Sequence, residues 1–196
     1  VADTHGRKLE DEYFRKRDQE LMEKLKRKAA EQASRKHLAE QAGVFDEEIL
    51  KDMEDLGYKP ETLMLIHLIP LVHVAWAEGG VSDRERALIV EAARSRGIQA
   101  GSAADRHLAT LLTERPSDAF FEKTLQAITA MLDGAAPEQG EADRRNLLTY
   151  STAIASASGG ILGLAKVSAE EQRVLKRITE ELTHRRGDAG PAAKGS

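Results

Sequence analysis

The chain contains no cysteine. Disulfides, thiol catalysis, thiolate zinc sites and cysteine-held iron-sulfur clusters are therefore excluded, and the composition is compatible with a reducing cytoplasm. Aromatic residues make up only 4 % with a single tryptophan, too few rings to stack successive bases along a groove. No strong excess of one charge exists either: the net charge of -4 and a pI near 5.9 argue against a general nucleic-acid binder. No apolar run reaches the ~18 residues of a membrane span. The longest, from Leu63 to Ala77, is interrupted by His67, Pro70 and His73. The first residues lack the apolar stretch of a signal peptide, so neither secretion nor insertion is expected and a cytoplasmic location is. What remains is ordinary core material, 41 % hydrophobic, with 32 % charged residues against the ~25 % of an average chain. Some of that charge must lie outside a core.

It lies at the start. Between Arg7 and Glu40 the sequence has 11 Lys and Arg against 8 Asp and Glu, a net of +3, which leaves -7 for the remainder. From Leu9 to Leu38 there is no Pro or Gly and most residues are strong helix formers, so one long helix is expected within an arm of residues 1–42. Leu9, Tyr13, Phe14, Leu21, Met22, Leu25, Ala29 and Ala33 fall on a narrow stripe at helical spacing. The heptad is too irregular to specify a coiled coil. The plain reading is a charged helix packed along one side. The functional reading is that Tyr13, Phe14, Leu21 and Leu25 meet a protein partner or a second copy.

A helical domain is expected over residues 43–186, followed by a disordered tail at 187–196. Asp46 suits an N-cap, with Phe45 as a hydrophobic staple in front of it. Leu63 to Ala77 reads as a buried helix kinked at Pro70. Further helices follow from punctuation at Ser82 to Arg96, Ala103 to Thr113, Ser117 to Leu132, Glu138 to Ala157 and Ser168 to His184. No convincing strand alternation appears, so the fold class is all-α.

Two segments of this domain are related. Ala75-Trp76-Ala77-Glu78-Gly79-Gly80-Val81-Ser82-Asp83-Arg84-Glu85 has a counterpart in Ala155-Ser156-Ala157-Ser158-Gly159-Gly160, followed after an insertion by Val167-Ser168-Ala169-Glu170-Glu171. Both end in Ser-x-x-Glu. The pairs Ser82 with Glu85 and Ser168 with Glu171 can each close a capping box at a helix start. At Ala75, Glu78, Gly79, Val81, Ser82 and Glu85 the sequence resembles the TerB-like family, the tellurite-resistance fold also found in a membrane-anchored DnaJ-like co-chaperone. The resemblance extends over roughly Asp46 to His184, with Glu78 where the family pattern has Asp. It implies a compact duplicated helical domain, non-enzymatic, associated with stress responses and with cation binding through acidic loops.

Glu78, Asp83 and Glu85 offer the hard oxygen donors that Ca²⁺ or Mg²⁺ prefer. Capping is the preferred reading, because Ser-x-x-Glu needs no metal to explain it and the second segment has Ser158 in place of Glu78. Other constellations fail on spacing. His67 and His73 are not at the i, i+3 or i, i+4 separation that converges two ligands, and Glu181-Leu182-Thr183-His184 lacks the second Glu-x-x-His of a di-iron bundle. Gly159 to Leu164 lacks the strand and Gly-Lys-Ser/Thr of a phosphate loop, and Arg185-Arg186 suits a helix C-terminus. No triad can be nominated, and no cofactor is called for. The expectation is a non-enzymatic interaction or regulatory module. A divalent-cation sensor built on residues 78–85 is the alternative, and a helical enzyme with dispersed site residues the third.

Overall fold

The computed structural model describes residues 3–158 and 167–183, with side chains for 13–157 and 167–183. Among these it is all-α, with eight α-helices, one 3-10 helix and no strand. They are α1 (Asp3–Ala42), α2 (Glu47–Asp55), the 3-10 helix Pro60–Leu68, α3 (Ile69–Ala75), α4 (Asp83–Ser95), α5 (Ala103–Leu111), α6 (Asp118–Gly134), α7 (Pro137–Ser158) and α8 (Ala169–Thr183). The expected tail, the Gly159 to Leu164 insertion, His184 and Arg185-Arg186 lie outside the described residues.

Side-chain caps set the starts. Asp46 accepts from the Glu48 and Ile49 N–H groups, Ser102 from Asp105 N–H and Ser117 from Phe120 N–H. Each satisfies a donor that the first helical turn cannot pair internally. Phe45 does not form the expected staple. It is 76 % exposed, and Val44 goes into the core in its place.

The apolar segment after Pro60 is not one kinked α-helix. A 3-10 helix runs to Leu68 and hands over to α3, with Pro70 in the first turn of α3. Pro70 has no N–H to give Ile66, so an α-helix could not continue through it without a lost bond, whereas the first turn loses nothing. All seven residues of α3 are buried, and α3 packs against α4, α6, α7 and α8. It is the centre of the body. Trp76, just beyond it, donates its indole N–H to the Leu111 carbonyl at 2.9 Å and fixes the end of α5.

α1 meets this body only at its C-terminal end. Leu38, Ala39 and Ala42 are buried against α2 and the 3-10 helix, and Arg35 pairs with Glu54 and, at 3.5 Å, with Glu47. Gly43, at φ 65°, turns the chain out of the helix, and Gly134 packs so close that a Cβ there would lie 2.7 Å from the Gly43 carbonyl oxygen. The root of the arm is thus pinned between α2 and the end of α6. Every residue from Tyr13 to Ser34 is exposed.

Candidate functional site

Two places carry the residues singled out by sequence. The first is the arm. Tyr13 and Phe14 are each 59 % exposed, Leu21 and Met22 55 %, and Leu25 53 %, about what a helix with nothing beside it leaves open. At ~100° per residue Phe14, Leu21 and Leu25 lie within ~40° of one another. Met22 and Ala29 lie ~60–80° to one side, while Tyr13 lies ~100° to the other, near the angles of Leu38 and Ala42, and Ala39 falls at the angle of Leu21. The apolar positions of the arm and the residues that grip the body therefore share one broad side of the helix. The expectation of a helix packed along its own domain is replaced: of the four residues Tyr13, Phe14, Leu21 and Leu25 the helix brings the last three onto one face and turns Tyr13 ~100° away from it, and all four are exposed. Tyr13 and Phe14 touch edge to face with centroids 5.9 Å apart.

Most exposed helices of this length rely on tertiary contact for their stability. This one has sequence support in its place, since Glu20 precedes Lys24, and Glu23 precedes Arg27, by one i, i+4 step. Where the arm joins the body, two clefts of about 500 Å³ flank it. One is lined by Lys28, Arg35, Glu54 and Tyr58, the other by Arg35, Lys36, Glu40 and Phe45. The exposed Phe45 ring belongs to the second, an apolar group that sequence reasoning had placed inside.

The second place is the pair of capping boxes. The Ser82 hydroxyl accepts from Glu85 N–H at 3.3 Å, and the Glu85 carboxylate accepts from Ser82 N–H at 2.8 Å and from the Ser82 hydroxyl at 2.6 Å. At α8 the Ser168 hydroxyl accepts from Glu171 N–H at 3.1 Å and the Glu171 carboxylate from Ser168 N–H at 2.7 Å. Both glutamates are buried, Glu85 to 3 % and Glu171 to 1 % exposure. Burial raises the Glu85 pKa above the usual carboxylate value, against the pull of its two Ser82 hydrogen bonds, and the charges of Glu171 and Glu78 push it further the same way. The two boxes thus lie near enough for their carboxylates to repel. Each box is legible in the sequence, but not that α4 and α8, both packed on α3 and α7, would bring their acids within reach.

Glu78 and Asp83 are exposed, whereas Glu85 is buried with its carboxylate oxygen already held by Ser82. Among the described residues no group of three or more His, Asp or Glu side chains is gathered for a metal ion. The three residues proposed as cation ligands are therefore not brought together. His67 and His73 are also kept apart in surroundings. His67 lines a polar cleft of about 420 Å³ with Arg96, Asp143, Asn146 and Tyr150, and burial, then the nearby Arg96, lowers its pKa. His73 is stacked on Phe121 with centroids 4.1 Å apart.

Replacing Ser82 or Ser168 by Ala should cost ~1 kcal/mol, because each leaves an N–H of the first turn without its acceptor. Thermal melts of both single variants measure it. Unchanged melting in both would mean the boxes contribute nothing to stability.

No described helix is long and apolar enough to cross a membrane. Comparison with known protein families, with curated proteins and with solved structures finds no match to this chain.

Proposed function

We infer that the chain is a non-enzymatic, TerB-like interaction or regulatory module, stress-associated and cytoplasmic, in which the N-terminal helix serves as a partner or self-association element. The observation that carries this reading is the set of five half-exposed apolar side chains on an arm otherwise covered with charge. Three of them, Phe14, Leu21 and Leu25, share one face within ~40°, and apolar anchors on a charged helix are how such a helix meets a partner groove. The duplicated Ser-x-x-Glu helix starts support the TerB-like part of the reading, since the same capping chemistry opens α4 and α8. The body then acts as a rigid mount for the arm.

The test separates binding from folding. Phe14→Ser with Leu21→Ser should abolish capture of the partner by the immobilised chain and leave the melting of the body within ~1 °C, because surface positions without tertiary contact contribute little to stability. A fall in melting with unchanged capture would return the arm to a structural role. Deletion of residues 1–33 that alters neither capture nor oligomeric state ends the reading.

A further inference from the structure

We propose that the polar cleft between the 3-10 helix, the end of α4 and α7 binds a small zwitterion, an α-amino acid with a polar uncharged side chain, its carboxylate on Arg96 and its ammonium on Asp143. No residue of α1 lines this cleft, so such binding is independent of what the arm does. Three observations carry it.

The first is how the walls are built. Asp143, Asn146, Leu147 and Tyr150 stand at i, i+3, i+4 and i+7, so one face of α7 forms one wall. Leu147, at 1 % exposure, ties that face to the core. Arg96 is the C-cap of α4, where Gly97 at φ 83° turns the chain, and His67 comes from the outward row of the 3-10 helix, where it is half-buried. The space they enclose is about 420 Å³, inside the ~300–1,000 Å³ of small-molecule sites.

The second is charge. Burial and the neighbouring Arg96 lower the pKa of His67, so its ring is neutral at pH 7. Among the lining residues that leaves one cation, Arg96, and one anion, Asp143. The two do not neutralise each other. Among the described residues the Arg96 guanidinium makes no hydrogen bond or ion pair, and it rests over the Tyr150 ring with Cζ 5.7 Å from the centroid. Gln139 donates its side-chain amide to both Asp143 oxygens at 3.0 Å, which steadies the carboxylate and leaves it lone pairs for a further donor. A bare anion in the cleft meets Arg96 but is repelled by Asp143, and a bare cation meets the reverse. A ligand with a carboxylate at one end and an ammonium at the other satisfies both, and the planar guanidinium suits the carboxylate end.

The third is what the other groups offer. The Asn146 amide, the Tyr150 hydroxyl and the His67 ring make no hydrogen bond among the described residues, and all three present uncharged donors and acceptors. Covering them with an apolar side chain strands them, whereas a side-chain amide or hydroxyl on the ligand pairs with them.

Isothermal titration of the full chain tests it, with L-glutamine as the probe and two anions as controls: inorganic phosphate, and glutaramate, which is glutamine without its ammonium group. L-Glutamine should bind with a dissociation constant between ~10 µM and ~1 mM, the range open to so small a ligand. Glutaramate should bind at least ~10-fold more weakly, the effect of one lost charge-assisted hydrogen bond. Asp143→Asn should erase that difference, and Arg96→Gln should weaken both ligands at least ~10-fold, with melting retained because neither side chain is in the core. In the unmutated chain the His67 ring signals in NMR spectra should move on addition of L-glutamine, while those of His37, exposed on α1, should stay. Absence of L-glutamine binding at ~10 mM overturns the proposal. So does glutaramate or phosphate bound as tightly as L-glutamine, which would make the cleft a plain anion site, and so does binding that leaves the His67 signals in place, which would put the ligand elsewhere.

Discussion

Leu65→Ala and Leu68→Ala are each expected to destabilise the body by ~2–5 kcal/mol and to lower its melting temperature by roughly 5–15 °C. Both side chains are fully buried, in the 3-10 helix Pro60–Leu68. A 3-10 helix has poorer hydrogen-bond geometry than an α-helix and seldom runs for nine residues, so this one is held by what its side chains bury. Three residues per turn place its positions in three rows. Thr62, Leu65 and Leu68 form one buried row and Leu63, Ile66 and Ile69 another, while Glu61 and Met64 are exposed and His67 half-buried on the third. Burial with a period of three is the signature of the helix type, and it supplies an internal control. Met64→Ala, on the outward row at 43 % exposure, should change stability by no more than ~0.5 kcal/mol. Equal losses from Met64→Ala and Leu68→Ala would show that these rows do not divide core from solvent.

That period could not be read beforehand, because nearly every residue from Leu63 to Ala75 is apolar and a run without alternation shows no face. Pro70 was legible as an interruption but not as the point where one helix type hands over to another. Helix starts were legible where a short polar side chain precedes an apolar period: Asp46, Ser82, Ser117 and Ser168 all sit in front of the helices they were assigned. Such caps are local chemistry, fixed within four residues. Phe45 shows the limit, since which of two adjacent apolar residues turns inward depends on the exit angle set at Gly43 and on the crowding against Gly134. The stripe on the arm was visible at once. That it stays uncovered follows from α1 meeting the body only near Leu38, Ala39 and Ala42, which no signal within residues 13–34 announces. The approach of Glu171 to Glu85, and the surroundings of His73, come from packing between elements far apart in sequence and leave no local signal.

Acidification is expected to remove on the order of 3 kcal/mol of stability through His73 alone. His73 sits on α3 with 8 % exposure, its ring parallel to Phe121 within 5°, and its Nδ1 has no hydrogen-bond partner among the described residues. Burial lowers its pKa from 6.5 to about 4. The charges facing it act in both directions: Arg177 on α8 and Arg115 ahead of α6 lower it, while Asp118 and Glu122 on α6 raise it. Arg115 and Asp118 are themselves paired at 2.7 Å, and Arg177 pairs with Glu122, so much of that field cancels and burial dominates. Between pH 6.5 and about 4 the unfolded chain binds a proton at this residue that the folded chain refuses, so stability falls as pH falls through that window. Across the 2.5 pH units, at ~1.4 kcal/mol each, the loss reaches the figure given, and below about pH 4 this residue adds no further dependence. His67 and His107 are also lowered by burial and act with the same sign, whereas Glu85, whose pKa is raised, acts with the opposite one. The difference between wild type and His73→Phe isolates the term, since Phe keeps an aromatic ring against Phe121 and cannot take a proton. Denaturant midpoints measured at pH 7 and pH 4 should drop less in His73→Phe than in wild type, by an amount equivalent to most of those 3 kcal/mol. Identical drops in the two proteins would show that His73 is not the group that must charge when the core opens.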